Sequence, residues 1–289
     1  MRYLIEHRTR LVFPKAVREH QCELRLAPRS GEHQSVASCR IEVSPETSLR
    51  EHVDCFGNRV HSLSLIGPHE SLEASLAAEV DTGLANPFDY APLAPRDEPA
   101  WMARRLREEP ALHDFVLHRS PAVPEPAAVT GDLELPRLAA ERALLDGVQD
   151  AMAWLADVFA YDPGASAVHA PLATFFERRA GVCQDFAHAL VALVRSWGFA
   201  ARYVAGYVDP GALGEAPAAQ ATHAWAEVLI PGAGWRGFDA TSRLVANDAF
   251  IPVAVGRDSR DAAPVRGTFK GDEGGERPQV ELRVRRQEQ

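Results

Sequence analysis

Near the start of the chain, Tyr3, Ile5, His7, Thr9, Leu11 and Phe13 alternate with Arg2, Leu4, Glu6, Arg8 and Arg10. A period of two is that of a strand with one buried face, so this segment is predicted as β structure. Same-face sets recur in Cys22, Leu24 and Leu26, in Cys39, Ile41 and Val43, in His61, Leu63 and Leu65, and in Leu72, Leu76 and Val80, with Pro, Gly or Asn between them. Regular short strands of this kind predict a β-sandwich domain over residues 1–85. Residues 86–136 carry nine prolines, from Pro87 to Pro136, and read as a partly helical connector. A helical period then takes over. Leu144, Val148, Met152 and Leu155 form one stripe, and Cys183, Phe186, Ala187, Leu190, Val194 and Trp197 form another, closed by Gly198 as a stop. Three strands are predicted next, from Ala201, Thr222 and Gly234, so residues 137–289 form a second domain in which a helix leads into an antiparallel meander. The overall class is α+β. The GDEGGERP stretch from Gly271 reads as a turn-rich loop, and QVELRV from Gln279 as a returning strand.

Composition narrows the function classes. At 289 residues, 46% apolar and 25% charged, the chain is ordinary globular protein, long enough for two domains. A formal charge of -9 removes the electrostatic reason to expect nucleic acid or an anionic membrane as partner. No apolar run of about 18 residues is present, and the alternating, arginine-bearing opening is unlike a signal-peptide core, so a cytoplasmic protein is expected. Cys22, Cys39, Cys55 and Cys183 show no CxxC spacing, which suggests neither a disulfide framework nor a zinc knuckle.

Cys183 opens the second predicted helix, where unpaired N–H groups and the positive dipole end favour thiolate over thiol; taken alone, a small core residue is the commoner reading, and its partners decide. His223 lies on a strand with Trp225 and Glu227 on its face, and is either a base or a satisfied strand histidine. Asp239 ends the next strand, either orienting an imidazole or capping a turn. A tight turn over Pro231–Gly234 predicts Asp239 opposite about Ala226, roughly 10 Å along the strand from His223, a gap for a bulge or register offset to close. Asp185 and His188 sit about 200° and 140° around the helix from Cys183, which assigns them structural hydrogen bonds.

GVCQDFAH, GFAARYVAGYV, THAWAEV and GWRGFDATS, in that order over about 60 residues, together resemble the bacterial transglutaminase-like family, a branch of the papain-like cysteine-nucleophile enzymes. VAVGRDSRDAAPVRG, from Val253 to Gly267, resembles that family's tail, and the strand-rich N-terminus its associated β domain. The resemblance implies a transglutaminase-like (papain-like) core with a nucleophile-bearing helix on an antiparallel sheet. It implies Cys183 as nucleophile, His223 as general base and acid, and Asp239 as the residue orienting His223. Many relatives carry Asp-Pro-Thr-Asn where this chain has Asp239, Ala240, Thr241 and Ser242, so no proline fixes the turn.

Around these three, Gln184 offers an amide to an oxyanion or is an exposed first-turn residue. Tyr203 and Tyr207 line a groove or pack in the core, and Trp225 faces the same choice. The Asp209–Ala221 loop reads as a lid or a plain linker. The implied reaction is acyl transfer from a peptide or protein amide through a thioester, without cofactor or metal. Hydrolysis is expected before transamidation. A non-catalytic peptide-binding module and a metal hydrolase using Cys183, His223 and Asp239 as ligands are the rivals, and oligomeric state is left open.

Overall fold

The alternation at the chain's start becomes one strand of 23 residues, β1 (Arg2–Leu24), in a computed structural model that describes residues 1–164, 170–213, 222–271 and 278–287. Its pairing breaks between Val12 and Val17, where Pro14 has no N–H to give a ladder, and the two halves of β1 then serve two halves of a curled sheet. The first half pairs with β5 (His69–Thr82), itself flanked by β2 (Gln34–Ser44). The second half pairs with β4 (Arg59–Leu65), flanked by β3 (Arg50–Val53). Tyr3, Ile5, Leu24, Leu63, Leu76 and Val80 from both halves close on one core, which makes the sheet sandwich-like.

The connector contributes α1 (Glu98–Glu108) and short 3-10 turns. Glu98 is buried and accepts the Leu144 N–H at 2.8 Å, satisfying an otherwise orphan donor at the start of α2 (Leu144–Val158). A two-residue parallel ladder, β6 (Ala160–Tyr161) with β7 (Ala180–Gly181), brackets α3 (Leu172–Arg178). The second apolar stripe becomes α4 (Cys183–Ser196), ended by Gly198 at φ 82°. It packs on β8 (Ala201–Val208) and β9 (His223–Ile230) of an antiparallel sheet completed by β10 (Gly234–Asp239), β11 (Leu244–Val245) and β12 (Phe250–Gly256), in the order β11-β10-β9-β8-β12. The α+β class is as read from the sequence; α3 and β12 are elements the pattern alone did not single out.

The tail does not stay with the second sheet. Strand β13 (Val265–Lys270) pairs with the second half of β1, and β14 (Gln279–Gln287) with the first, Arg2 facing Gln287. The sequence reading put all of 137–289 in one domain, whereas 265–270 and 279–287 occupy the open side of β1, whose unpaired N–H and C=O groups need a partner strand. Residues 272–277, within the predicted loop from Gly271, and residues 214–221, within the predicted lid or linker, lie outside the described residues. Among the described residues no helix is long and apolar enough to cross a membrane.

The first sheet is bolted to the back of the second. Tyr207 donates its hydroxyl to the Leu26 carbonyl at 2.9 Å and receives His7 Nδ1–H at 2.9 Å; burial lowers the His7 pKa to about 4, which keeps that ring neutral. Asn58, with no exposed surface, imitates a strand neighbour. Its Nδ2 donates to the Val255 carbonyl and its Oδ1 accepts the Val255 N–H, both at 2.8 Å. Asn58→Ala strands both Val255 groups in the interior. The expected outcome is a loss of about 3 kcal/mol of unfolding free energy, read as a lowered urea midpoint at unchanged m-value.

Candidate active site

Strand β7 delivers the chain to α4 through a turn that only glycine fits. A Cβ on Gly181 would stand 2.6 Å from Asp185 Oδ2 and 2.6 Å from Phe175 Cδ2. Asp185, buried, accepts the Val182 N–H at 2.9 Å and thereby caps the helix start. This carboxylate is the structural residue that the helical angle implied. Cys183 is left as the first residue of α4, half-buried against Tyr203, Ala205 and Ala224. Its sulfur therefore sits at the positive end of a 14-residue helix.

His223 is the first residue of β9, opposite Gly206. Its Nε2–H donates to Asp239 Oδ2 at 2.8 Å, and Nδ1 has no formed hydrogen bond among the described residues. Nδ1 is therefore the ring nitrogen left for the sulfur. Burial by itself would lower the imidazole's pKa, but hydrogen-bonding and charge interactions with Asp239 and Cys183 outweigh it and raise the value from 6.5 to about 10. These contacts favour the charged form of the ring.

Register answers the geometric gap. Strand β10 pairs Gly234 with Ile230 and Phe238 with Ala226, so Asp239 lies one residue beyond the Ala226 pair, closer to His223 than the expected position. The side chains span what remains. No proline holds Asp239, yet its carboxylate anchors its own turn: Oδ1 accepts the Thr241 N–H at 3.0 Å and the Ser242 N–H at 3.4 Å, while the Ser242 hydroxyl donates to Oδ2. Burial would raise the Asp239 pKa, but the hydrogen bonds from His223, Ser242 and Thr241 prevail and hold it below the usual carboxylate value.

The remaining residues singled out in the sequence divide clearly. Gln184 follows Cys183 in the first turn of α4 and is half-buried. Tyr207 is held between the two sheets by Leu26 and His7, which keeps it away from Cys183. Trp225 is buried, its ring centroid 6.3 Å from that of His223, on the sheet face opposite α4. Tyr203 is buried beside Cys183 and His188, and burial raises its pKa well above 10, with Cys183, Asp185 and Asp258 adding to the shift. His188 accepts the Ser259 N–H at Nε2, at 3.0 Å.

Two neighbours escaped the sequence reading. Tyr161 pairs with Gly181 across β6 and β7, and burial, Cys183 and Asp239 all raise its pKa. No period marks it, since two residues are too short to show one. Ser242 is the other, legible only once Asp239 is seen to need donors. Among the described residues, no group of three or more His, Cys, Asp and Glu could hold a metal ion.

Comparison with known proteins relates both regions of the chain to described families. Residues 136–240 match the family model of the transglutaminase-like superfamily, and residues 3–81 that of the bacterial transglutaminase-like N-terminal region. An uncharacterized protein of Mycobacterium leprae is 29% identical over 273 residues, 93% of this chain and 94% of that protein. Another, from Mycobacterium tuberculosis, is 29% identical over 276 residues, 92% of this chain and 87% of that protein. The crystal structure of a candidate cysteine protease from Cytophaga hutchinsonii is similar at a TM-score of 0.74, with 22% identity, covering 100% of this chain and 92% of that one; the likeness is one of fold.

The Asp239 contact generates a test of the site's electrostatics. Asp239→Asn removes the partner that favours the charged ring while burial still opposes it, so the His223 titration midpoint falls. Imidazole NMR is expected to show a decrease of at least about one pH unit. Ser242→Ala, which removes one donor from Oδ2, is expected to lower the midpoint by a smaller amount in the same direction.

Proposed function

Because this chain belongs to the transglutaminase-like superfamily through its core and carries the bacterial transglutaminase-like N-terminal region before it, we propose that it is a cysteine-dependent acyl-transfer enzyme acting on peptide or protein amides. One observation carries the reading: Asp239 occupies His223 Nε2, leaving Nδ1 for a cysteine at a helix N-terminus. The coupling of His223 to both Cys183 and Asp239 supports reading the three as nucleophile, proton carrier and orienting carboxylate.

The steps follow from the groups present. The Cys183 thiolate attacks the amide carbonyl and forms the C–S bond. Oxyanion charge develops near the first N–H groups of α4, the Cys183 N–H foremost, with Gln184 next in the chain. His223 Nδ1–H passes its proton to the leaving amine as the C–N bond breaks, which leaves a thioester on Cys183 and a neutral ring. Water then attacks the thioester, His223 takes its proton, and thiolate and imidazolium are restored as the carboxylic acid departs. Asp239 stays ionised throughout and fixes the ring's tautomer. Hydrolysis is placed before transamidation because water needs no acceptor site, whereas an amine needs one that excludes water.

Alkylation with iodoacetamide near neutral pH tests the nucleophile. Cys183 is expected to react faster than a free thiol, and His223→Ala to slow it by about tenfold or more. Equal rates in the two proteins would remove the assignment. In turnover of a peptide-amide substrate, Asp239→Asn is expected to lower kcat by about 10²- to 10⁴-fold. Product analysis with and without a primary amine separates the two resolutions: a new amide in place of the acid would replace hydrolysis by transamidation.

A further inference from the structure

A cavity of about 190 Å³ lies behind the catalytic sheet, where residues 29–34 of the first unit meet β8, β9 and β10. Its walls are Trp225 and Trp235. Gly237 lines it between them, and a Cβ there would come within 2.5 Å of the Ala246 Cβ and 3.0 Å of Trp225 Nε1, so no side chain is tolerated. Trp225 lies between this cavity and His223.

The polar groups on the wall are unevenly satisfied. Arg202 is committed, ion-paired to Glu227 at 2.6 Å and lying 4.0 Å over the Trp235 ring. Arg29 is not. Its Nη1 donates to the Phe56 carbonyl at 3.1 Å and to Asn58 Oδ1 at 2.7 Å, but among the described residues Nε and Nη2 make no hydrogen bond and no carboxylate stands within ion-pair range. Glu227 and Asp54 act on it only from a distance, each held by another arginine. Burial, and after it the Arg202 charge, lower the Arg29 pKa.

Gln34 supplies the second demand. Its Nε2 donates to the Arg29 carbonyl at 2.6 Å and the Pro252 carbonyl at 2.9 Å. Both donors are used, which settles the amide's orientation. Oε1 is left buried without a partner among the described residues. An acceptor in that state is costly until a donor meets it. Glu32 and Asp248 add negative charge to the same lining.

We infer that this cavity binds a free α-amino acid, its carboxylate on Arg29, its ammonium toward Gln34 Oε1 and the Glu32–Asp248 side, and an apolar side chain between Trp225 and Trp235. The volume falls below the roughly 300–1,000 Å³ of pockets for drug-sized ligands, which suits one amino acid and excludes a nucleotide. Carboxylate, ammonium and apolar body match the three kinds of group on the wall. The inference stands on the cavity alone and does not depend on catalysis at Cys183.

L-leucine, N-acetyl-L-leucine and L-leucinamide, titrated against the full chain with the indole N–H signals of Trp225 and Trp235 followed by NMR, test it directly. Saturable shifts with leucine are expected, weaker by at least about tenfold when either charge of the ligand is blocked. Arg29→Gln is expected to abolish the leucine response while Cys183 alkylation is unchanged. Should that variant fail to fold, Asp248→Asn gives the second reading, weakening leucine while sparing N-acetyl-leucine. No saturable shift in the unmodified protein would overturn the inference and leave a hydrated joint between the two units. Equal binding of all three compounds would overturn the zwitterion assignment.

Discussion

A carboxylate with no exposed surface, hydrogen-bonded to a histidine only 2% exposed, is the constraint on which this structure turns. Asp239 has given up hydration and must recover it from neighbours. Its two oxygens take four donors: His223 Nε2–H, the backbone N–H groups of Thr241 and Ser242, and the Ser242 hydroxyl. Three come from the turn that follows, so the turn exists in this form because the charge needs it. Relatives with proline after the aspartate restrict the backbone covalently, whereas here hydrogen bonds to the carboxylate do so. The fourth donor is the imidazole, and its commitment at Nε2 decides which nitrogen faces the sulfur.

The helix that carries the sulfur is held by buried charge along its length. Asp185 fixes its first turn. Further on, Arg195, which is 2% exposed, donates to the carbonyls of Ala201 and Arg257 at 3.0 Å each, and burial lowers its pKa to about 10. His188 accepts from Ser259, while Asp258 accepts the Arg260 N–H and the Ser120 hydroxyl. The segment after β12 thus ties α4 to the connector. Each contact satisfies a group that would otherwise be costly to bury, and jointly they leave α4 little freedom to shift against β9.

The first sheet gives the second its back wall. Strand β1 is long enough to serve two half-sheets, and the tail returns to fill the side of β1 that β4 and β5 leave open. Tyr207, Ile251 and Val253 of the second sheet join the first sheet's core, so the two units share apolar contacts as well as the Asn58 and Tyr207 hydrogen bonds. Much of the face opposite α4 is therefore covered, and the Trp-lined cavity lies at this joint. Binding groups at such a joint are positioned by both units.

Periodicity along the chain was sufficient for β1, β2, β4 and β5 of the first sheet, for α2 and α4, and for β8, β9 and β10, because a buried face imprints its own repeat on local sequence; β3 and β13, largely exposed, left no such imprint. The residue types at Cys183, His223 and Asp239, with the motifs around them, pointed to one chemistry. Periodicity reports that a face is buried but not what covers it. Tyr207 alternates as a groove residue would, yet the structure places it between the sheets; Tyr161 belongs to a ladder too short to show a period, and the tail strands join a partner more than 240 residues away in the chain. The pairing of β9 with β10, the choice of Nε2 for Asp239, and the hydrogen bonds that stand in for a proline involve residues close in the chain, yet only the folded geometry decides them. They depend on distances between groups, and a linear pattern of burial contains no distances across the fold.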